Sequence, residues 1–177
     1  MPFNTPTEIN YLNPVSFETS FLRLPDVSFM TQEVTIPSVA LGITSYASFF
    51  SDLPIEGDKI NFEQLSISFI VAEDLSNYLE IYNWLLAIGF PEDFDQFKLK
   101  ESIVSTASGT GLDTLKSDMS IIVNTNKSNP NYEIVFRDSF PVSLSSISFQ
   151  ANAAAIEPII VTANFAYAGQ FQIKKLT

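Results

Sequence analysis

The chain has 177 residues, with 9 Lys and Arg against 20 Asp and Glu, a net charge of −11, and neither Cys nor His. Without Cys there are no disulfides, thiol nucleophiles, iron–sulfur clusters or the usual structural zinc sites. Without His, the commonest general base, Ser-His-Asp triads and most transition-metal sites are excluded. The acidic balance also excludes duplex DNA as a firmly held surface ligand, because such affinity rests on Lys and Arg neutralising phosphates.

A hydrophobic content of 46%, with 16 Phe, is ample for a core and excludes general disorder. The length fits one domain, 1–177, able to bury roughly 70% of its surface. Charged residues make up only 16%, so a soluble chain of this kind is expected to hide much of its surface against partners. Met1–Pro6 has neither a basic region nor an apolar run, and nowhere do about 18 apolar residues run together. A secretory signal and a membrane span are therefore not expected, and the expected home is an intracellular or viral compartment. Asn126-Lys127-Ser128 fits the glycosylation triplet, which has meaning only in the secretory pathway.

Periodicity predicts mostly strands. Residues 17–36 read as two strands joined at Leu24-Pro25-Asp26. Val27 and Phe29 share one face, whereas Val34 and Ile36 fall on the opposite parity, which predicts a bulge between them. Residues 37–60, broken by Pro37, Gly42, Pro54 and Gly57, read as a long loop that is functional or ordered by a partner. Leu65, Ile67, Phe69 and Val71 then alternate with polar residues as a half-buried strand.

One clear helix is predicted over 75–88, capped by Asp74 and ended by Gly89 and Pro91. Leu75, Tyr78, Leu79, Tyr82, Leu85 and Leu86 form its expected core stripe, and Ile81, Trp84 and Ile88 a second apolar face. One sheet cannot cover both, so a loop or a neighbouring subunit is needed. Residues 98–116, centred on Ser105–Gly111, read as a flexible connector. Strands follow at 119–124 and 132–137, joined as a hairpin, and at 142–149 after Pro141. The last strand is expected to be long: Ile159, Val161, Ala163, Phe165, Tyr167, Phe171 and Ile173 share one parity. The opposite parity, from Thr162 to Gln172, carries no charge, unlike most solvent faces of strands. It is expected to meet protein or line an enclosed space.

Motifs for chemistry are sparse. Gly109-Thr110-Gly111 lacks the third Gly and the Lys-Ser/Thr of a phosphate loop. Glu92-Asp93-Phe94-Asp95 lacks the central Gly and terminal Glu of a calcium loop and reads as a solvated turn. Glu73 and Asp74 read as helix capping. A pair of carboxylates could serve a glycosidase, yet the polar groups of a sugar pocket are not evident. Trp84 reads as a packing or interface anchor rather than a ligand-stacking residue.

Two blocks carry a family resemblance. The first is Leu53-Pro54-Ile55-Glu56-Gly57-Asp58-Lys59 and the strand from Phe62 to Val71, leading into Glu73-Asp74-Leu75-Ser76-Asn77-Tyr78-Leu79-Glu80-Ile81-Tyr82-Asn83-Trp84-Leu85. The second is Phe136-Arg137-Asp138-Ser139-Phe140-Pro141-Val142-Ser143-Leu144-Ser145-Ser146-Ile147-Ser148-Phe149, with the final alternating strand to Tyr167. Together they cover about half of the chain and resemble the tail tube proteins of T-even-like contractile-tailed phages; residues 15–49 fit the family's opening strands more loosely.

The resemblance implies a mainly β, antiparallel sandwich or barrel-like fold with one packed helix, similar to the type VI secretion tube protein. It implies hexameric rings of this chain stacked into a tube inside a contractile sheath, with tail sheath and baseplate or tube-initiator proteins as partners. DNA is a transient cargo of the lumen, not a bound ligand. Neither catalysis nor a cofactor or metal is implied, and the expected location is the virion, after assembly in the host cytoplasm. Under it, Tyr46, Phe49, Phe50, Asp52, Leu53 and Ile55 become a ring-stacking element, and Ile81, Trp84 and Ile88 a helix packing or interface face. A tube-initiator or baseplate-hub ring of the same fold is the nearest alternative. A carbohydrate-binding or hydrolytic β-sandwich is the alternative from another class.

Overall fold

The computed structural model describes residues 10–89, 115–151 and 157–176. Eleven elements follow in chain order: β1 (Phe17–Phe21), α1 (Pro25–Met30), β2 (Thr31–Thr35), β3 (Val39–Ala47), β4 (Asp52–Phe62), β5 (Leu65–Ile70), α2 (Ser76–Gly89), β6 (Ser117–Asn124), β7 (Pro130–Leu144), β8 (Ile160–Ala166) and β9 (Gln172–Lys175). The molecule is mainly β, and every strand pair is antiparallel.

The main sheet runs β1-β6-β7-β8-β5-β2, with β9 also on β7. Its organising strand is β7. Residues up to Ser139 pair with β6 and β9, whereas Phe140–Leu144 pair with β8. Between the two parts Asp138 takes a left-handed φ of 50°, and its N–H donates to the Asp118 carboxylate at 3.0 Å. The strand thereby serves two sheets, whose apolar faces share one core. Phe21, Met119, Ile121, Ile134 and Phe136 contribute from one side, and Leu65, Ile67, Phe69, Val161, Ala163 and Phe165 from the other.

The predicted break at Pro141 is absent, and the strand expected over 142–149 ends at Leu144. Proline is accommodated because this part of β7 has a strand partner on one side only. The expected long final strand is instead two strands, β8 and β9, separated by a turn where Gly169 has φ +69°. The alternation holds from Val161 to Phe165 and ends at the turn, since Ile173 is exposed; β8 pairs with both β5 and β7, and β9 with β7.

The phase slip in 27–36 has two causes: the expected bulge, a register shift between Thr31 and Glu33, and a short helix before it that the pattern did not show. Residues 25–30 are a short helix with Pro25 in its first turn, where the missing N–H costs nothing. Leu24 and Val27, three apart, both turn into the core, and Phe29 points to solvent. A register irregularity follows between Thr31 and Glu33. The helix is fastened to β1: the Ser28 hydroxyl donates to the Thr19 carbonyl at 2.6 Å, and the Thr19 hydroxyl to the Ser28 carbonyl at 3.1 Å.

In α2 the core stripe is turned from the one expected, whose Tyr78 and Leu85 are half-buried against the core. Asn77, Ile81, Trp84 and Ala87 are buried, while Leu75, Leu79 and Tyr82 are exposed. Asn77 decides this. Its side-chain N–H donates to the Ile70 carbonyl at 2.7 Å, and its carbonyl accepts the Ala72 N–H at 3.1 Å, locking the β5–α2 link. A polar residue at the head of the stripe 77-81-84-88 disguised it, and hydropathy alone favoured the other face. Asp74 caps as expected, accepting the Ser76 N–H at 3.1 Å, and this bond holds its carboxyl below the usual range.

The two helices meet through Glu80. Its carboxyl accepts the Val27 N–H of α1, a helix whose N-terminus has no side-chain cap of its own. Burial, together with the nearby Asp26 charge, pushes the Glu80 carboxyl up to about 7 from 4.5. The sign follows from linkage: the folded state holds the proton more tightly, so stability is fullest below pH 4.5 and is lost as pH rises towards about 7. Glu80→Gln keeps an acceptor for Val27 and removes the charge. Urea unfolding is expected to show the variant more stable by about 1 kcal/mol near pH 8 after allowance for solvent screening, with the difference fading near pH 5.

Candidate assembly surfaces

The residues expected as a long loop form a β-hairpin. β3 and β4 pair only with each other among the described strands, as a two-stranded sheet separate from the main one. Alternation builds its outer half: Tyr46 faces Leu53 and Thr44 faces Ile55 on one side, while Ala47 faces Asp52 and Ile43 faces Glu56 on the other. Ser48–Ser51 close the turn, with the Ser48 N–H donating to the Ser51 carbonyl at 3.2 Å.

Below this half the register shifts. Leu41 faces Ile60 and Ile43 faces Glu56, so Gly42 on β3 stands opposite Gly57, Asp58 and Lys59 on β4. The backbones approach closely here: a Cβ on Gly57 would collide with the Gly42 carbonyl. Only glycine fits, and the bulge gives the hairpin its local bend.

The tip carries Phe49 and Phe50, which are 97% and 96% exposed, with their rings edge to face at 5.6 Å. Tyr46, Leu53 and Ile55 are exposed behind them, as are Leu41, Ile43 and Ile60. A lone two-stranded hairpin is marginal in water, and this one shows large apolar side chains on both faces. All six residues expected in the stacking element, Asp52 included, lie together on this outer half.

The helix residues Ile81, Trp84 and Ile88 lie elsewhere. Ile81 and Trp84 are fully buried and Ile88 half-buried against the same core. The Trp84 indole N–H donates to the Leu115 carbonyl at 2.7 Å, its ring lies 6.3 Å from that of Phe165, and the Arg23 guanidinium sits 5.7 Å over it. These are packing positions within one chain, while Leu75, Leu79 and Tyr82 form the exposed face of the helix. Burial of the indole required a carbonyl from the far side of 90–114, a contact with no local signature.

A third surface is the outer face of β5, β8 and their neighbours. Ser68 and Thr162 share a hydrogen bond at 2.9 Å, and the Asn164 amide donates to the Ser143 hydroxyl at 3.0 Å. Opposite Ser66 and Ser68 on β2 stand Thr35 and Glu33. The uncharged parity read from the last strand is thus a hydroxyl and amide surface in which Glu33 is the charged member.

The expected connector at 98–116 lies outside the described residues as far as 114, as does the acidic turn at 92–95. Among the described residues no group of three or more carboxylates is gathered as metal ligands, and no helix is long and apolar enough to cross a membrane.

No family model and no curated protein matches the sequence. The fold does match solved chains. One, from the tube-terminating cap of the anti-feeding prophage, superimposes with a TM-score of 0.56 at 14% identity, over 99% of this chain and 100% of its own. Another, from the sheath–tube complex of an extracellular contractile injection system, has a TM-score of 0.56 at 12% identity, over 94% and 93%. A third, from the anti-feeding prophage baseplate, has a TM-score of 0.52 at 11% identity, over 89% and 90%. These likenesses span the chain and agree with the tail-tube-like fold expected from the sequence; at such identities what is shared is the fold.

The hairpin can be perturbed apart from the core. Gly57→Val is expected to leave the global unfolding free energy from urea titration within about 0.5 kcal/mol of the parent, since nothing in β3–β4 belongs to the core cluster. Limited proteolysis near 48–51 should speed up about tenfold, corresponding to ~1.4 kcal/mol of local stability.

Proposed function

We propose that this chain is a structural subunit that forms hexameric rings, and that the rings stack into the tail tube of a contractile phage particle. The observation that carries the reading is the hairpin: a long apolar projection that the described residues leave uncovered. Copies of the same chain supply the missing cover, and a heterologous contact repeated along an axis builds a filament. The fold likeness to chains of sheath–tube, cap and baseplate assemblies supports this. Sheath and baseplate proteins are then the outer and end partners, and the virion is the location.

In this reading the hydroxyl and amide face of β5 and β8 lines the bore. Ser66, Ser68, Thr162 and Asn164 offer a passing phosphate no cation to hold, and Glu33 repels it. DNA is a cargo in transit, and no catalytic step or cofactor enters.

A second reading, a terminator or initiator ring, is favoured by the likeness to a tube-terminating cap and a baseplate chain. A tube subunit must match itself top to bottom, whereas an end ring needs one such face. Negative-stain microscopy of the purified protein separates them. Long smooth tubes of constant width are the expected result, and single rings at all concentrations would establish the end-ring reading instead. A monomer that never associates would sink both and return the soluble sugar-binding sandwich to consideration.

A further inference from the structure

A hairpin that stacks copies of this chain needs a receiving surface, and the charge distribution singles one out. From Val39 to Asp58 the chain has no Lys or Arg, while Asp52, Glu56 and Asp58 make the hairpin acidic around its aromatic tip. The receiving surface must therefore offer cations and aromatic or amide groups, in a chain whose net charge is −11.

One cleft of about 630 Å³ meets this description. It lies between residues 10–13, the β6–β7 turn and β9, and among the described residues no carboxylate lines it. Lys127 and Lys175 supply the positive charge, and Tyr11, Leu12 and Tyr132 the apolar surface, with Tyr11 84% and Leu12 69% exposed. Much of the remaining lining is asparagine, including Asn124, which is buried; its Oδ1 has no partner although its amide donates to Glu18 at 3.0 Å.

The walls are held in place. The Asn124 N–H donates to the Ser16 carbonyl at 3.0 Å, and within the turn the Thr125 N–H donates to the Asn129 carbonyl at 2.8 Å. The Leu176 N–H donates to the Asn131 carbonyl at 2.8 Å, which fastens the end of β9 to the same turn.

The hairpin of the same chain does not fill this cleft. Phe49 and Phe50 are almost fully exposed. The hairpin base, where the Tyr167 hydroxyl donates to the Glu63 carbonyl at 3.0 Å, sits by the end of β8 that pairs with Phe140 of β7. The cleft sits at Pro130–Tyr132, at the start of β7, whereas the Phe62–Phe171 ring contact at 5.8 Å seats the hairpin base beside the middle of that strand. Projection and receiver are thus separate surfaces of one chain, as a contact between copies requires.

We infer that the cleft formed by residues 10–13, the β6–β7 turn and β9 receives the Phe49–Phe50 tip of a second copy of this chain. Aromatic contacts with Tyr11 and Tyr132 fill it, and Lys127 and Lys175 pair with the carboxylates of the incoming hairpin. The inference rests on the stacking reading of the hairpin and names its partner surface.

The absence of cysteine allows a direct test by disulfide trapping. Ser51→Cys protein is mixed with Asn126→Cys protein under mild oxidation, with Ser51→Cys plus Arg137→Cys, an exposed position of β7 outside the cleft, as control. Docking raises the effective concentration from about ten micromolar to about a millimolar, so the first pair is expected to link about a hundredfold faster than the control. Lys127→Glu with Lys175→Glu should abolish that preference, and Asp52→Lys with Glu56→Lys on the hairpin copy should restore it. Equal linking of test and control pairs, or indifference to the charge reversals, overturns the inference. Tubes that form without the link overturn it and leave the stacking reading standing. A selective link with neither tubes nor rings supports the docking surface and overturns the tube reading.

Discussion

A two-stranded hairpin has no second layer, so whatever apolar surface it carries must be covered by something other than itself. In this chain β3 and β4 place Tyr46, Leu53 and Ile55 on one face and Ile43 on the other, with two phenylalanines at the tip, all exposed. The core is complete without them: β1, β6 and part of β7 close on β5, β8 and both helices. Apolar area at about 25 cal/mol per Å² is too costly to leave in water on this scale without a partner. The assembly reading follows from that imbalance between a finished core and an unfinished projection.

Charge is distributed to match. The uncharged face of β5 and β8 is satisfied internally by hydroxyl and amide hydrogen bonds, so it needs neither cations nor a tight partner. The negative charge is partly gathered on the hairpin, and two of the few lysines face the cleft at the start of β7. Surfaces of opposite sign on one molecule favour docking of the one on the other between copies, and like charge opposes the alternatives. The −11 balance therefore acts through its placement more than through its size.

Much of the fold was legible in the sequence. Strict alternation in Leu65–Phe69 and Val161–Phe165 announced the two central strands, and both kept their predicted faces. Elsewhere tertiary contacts outvoted local pattern. Helix α1 is too short to show a helical period, so Val27 and Phe29 mimicked a strand. Pro37, Gly42, Pro54 and Gly57 look like loop punctuation, yet Gly42 and Gly57 mark a bulge inside a hairpin where two backbones nearly touch. In α2 the buried Asn77 made the true core stripe look polar at its head. Of the candidate site, the stretch 37–60 was legible as an overlong, breaker-rich segment with a role, and its stacking residues followed from the family resemblance. The cleft was not, because Tyr11, Lys127 and Lys175 meet only through the pairing of β7 with β9 and the turn that precedes it.

If the hairpin is completed only by neighbouring copies, its backbone amides should be protected only in the assembly. Hydrogen exchange of β3 and β4, measured in dilute monomer and in the assembled form, tests this most directly. Exchange is expected to be fast in the monomer and slowed at least about a hundredfold on assembly, while the β5 and β8 amides stay protected in both. Equal exchange in the two states would show that no copy covers the hairpin and would contradict its role in assembly.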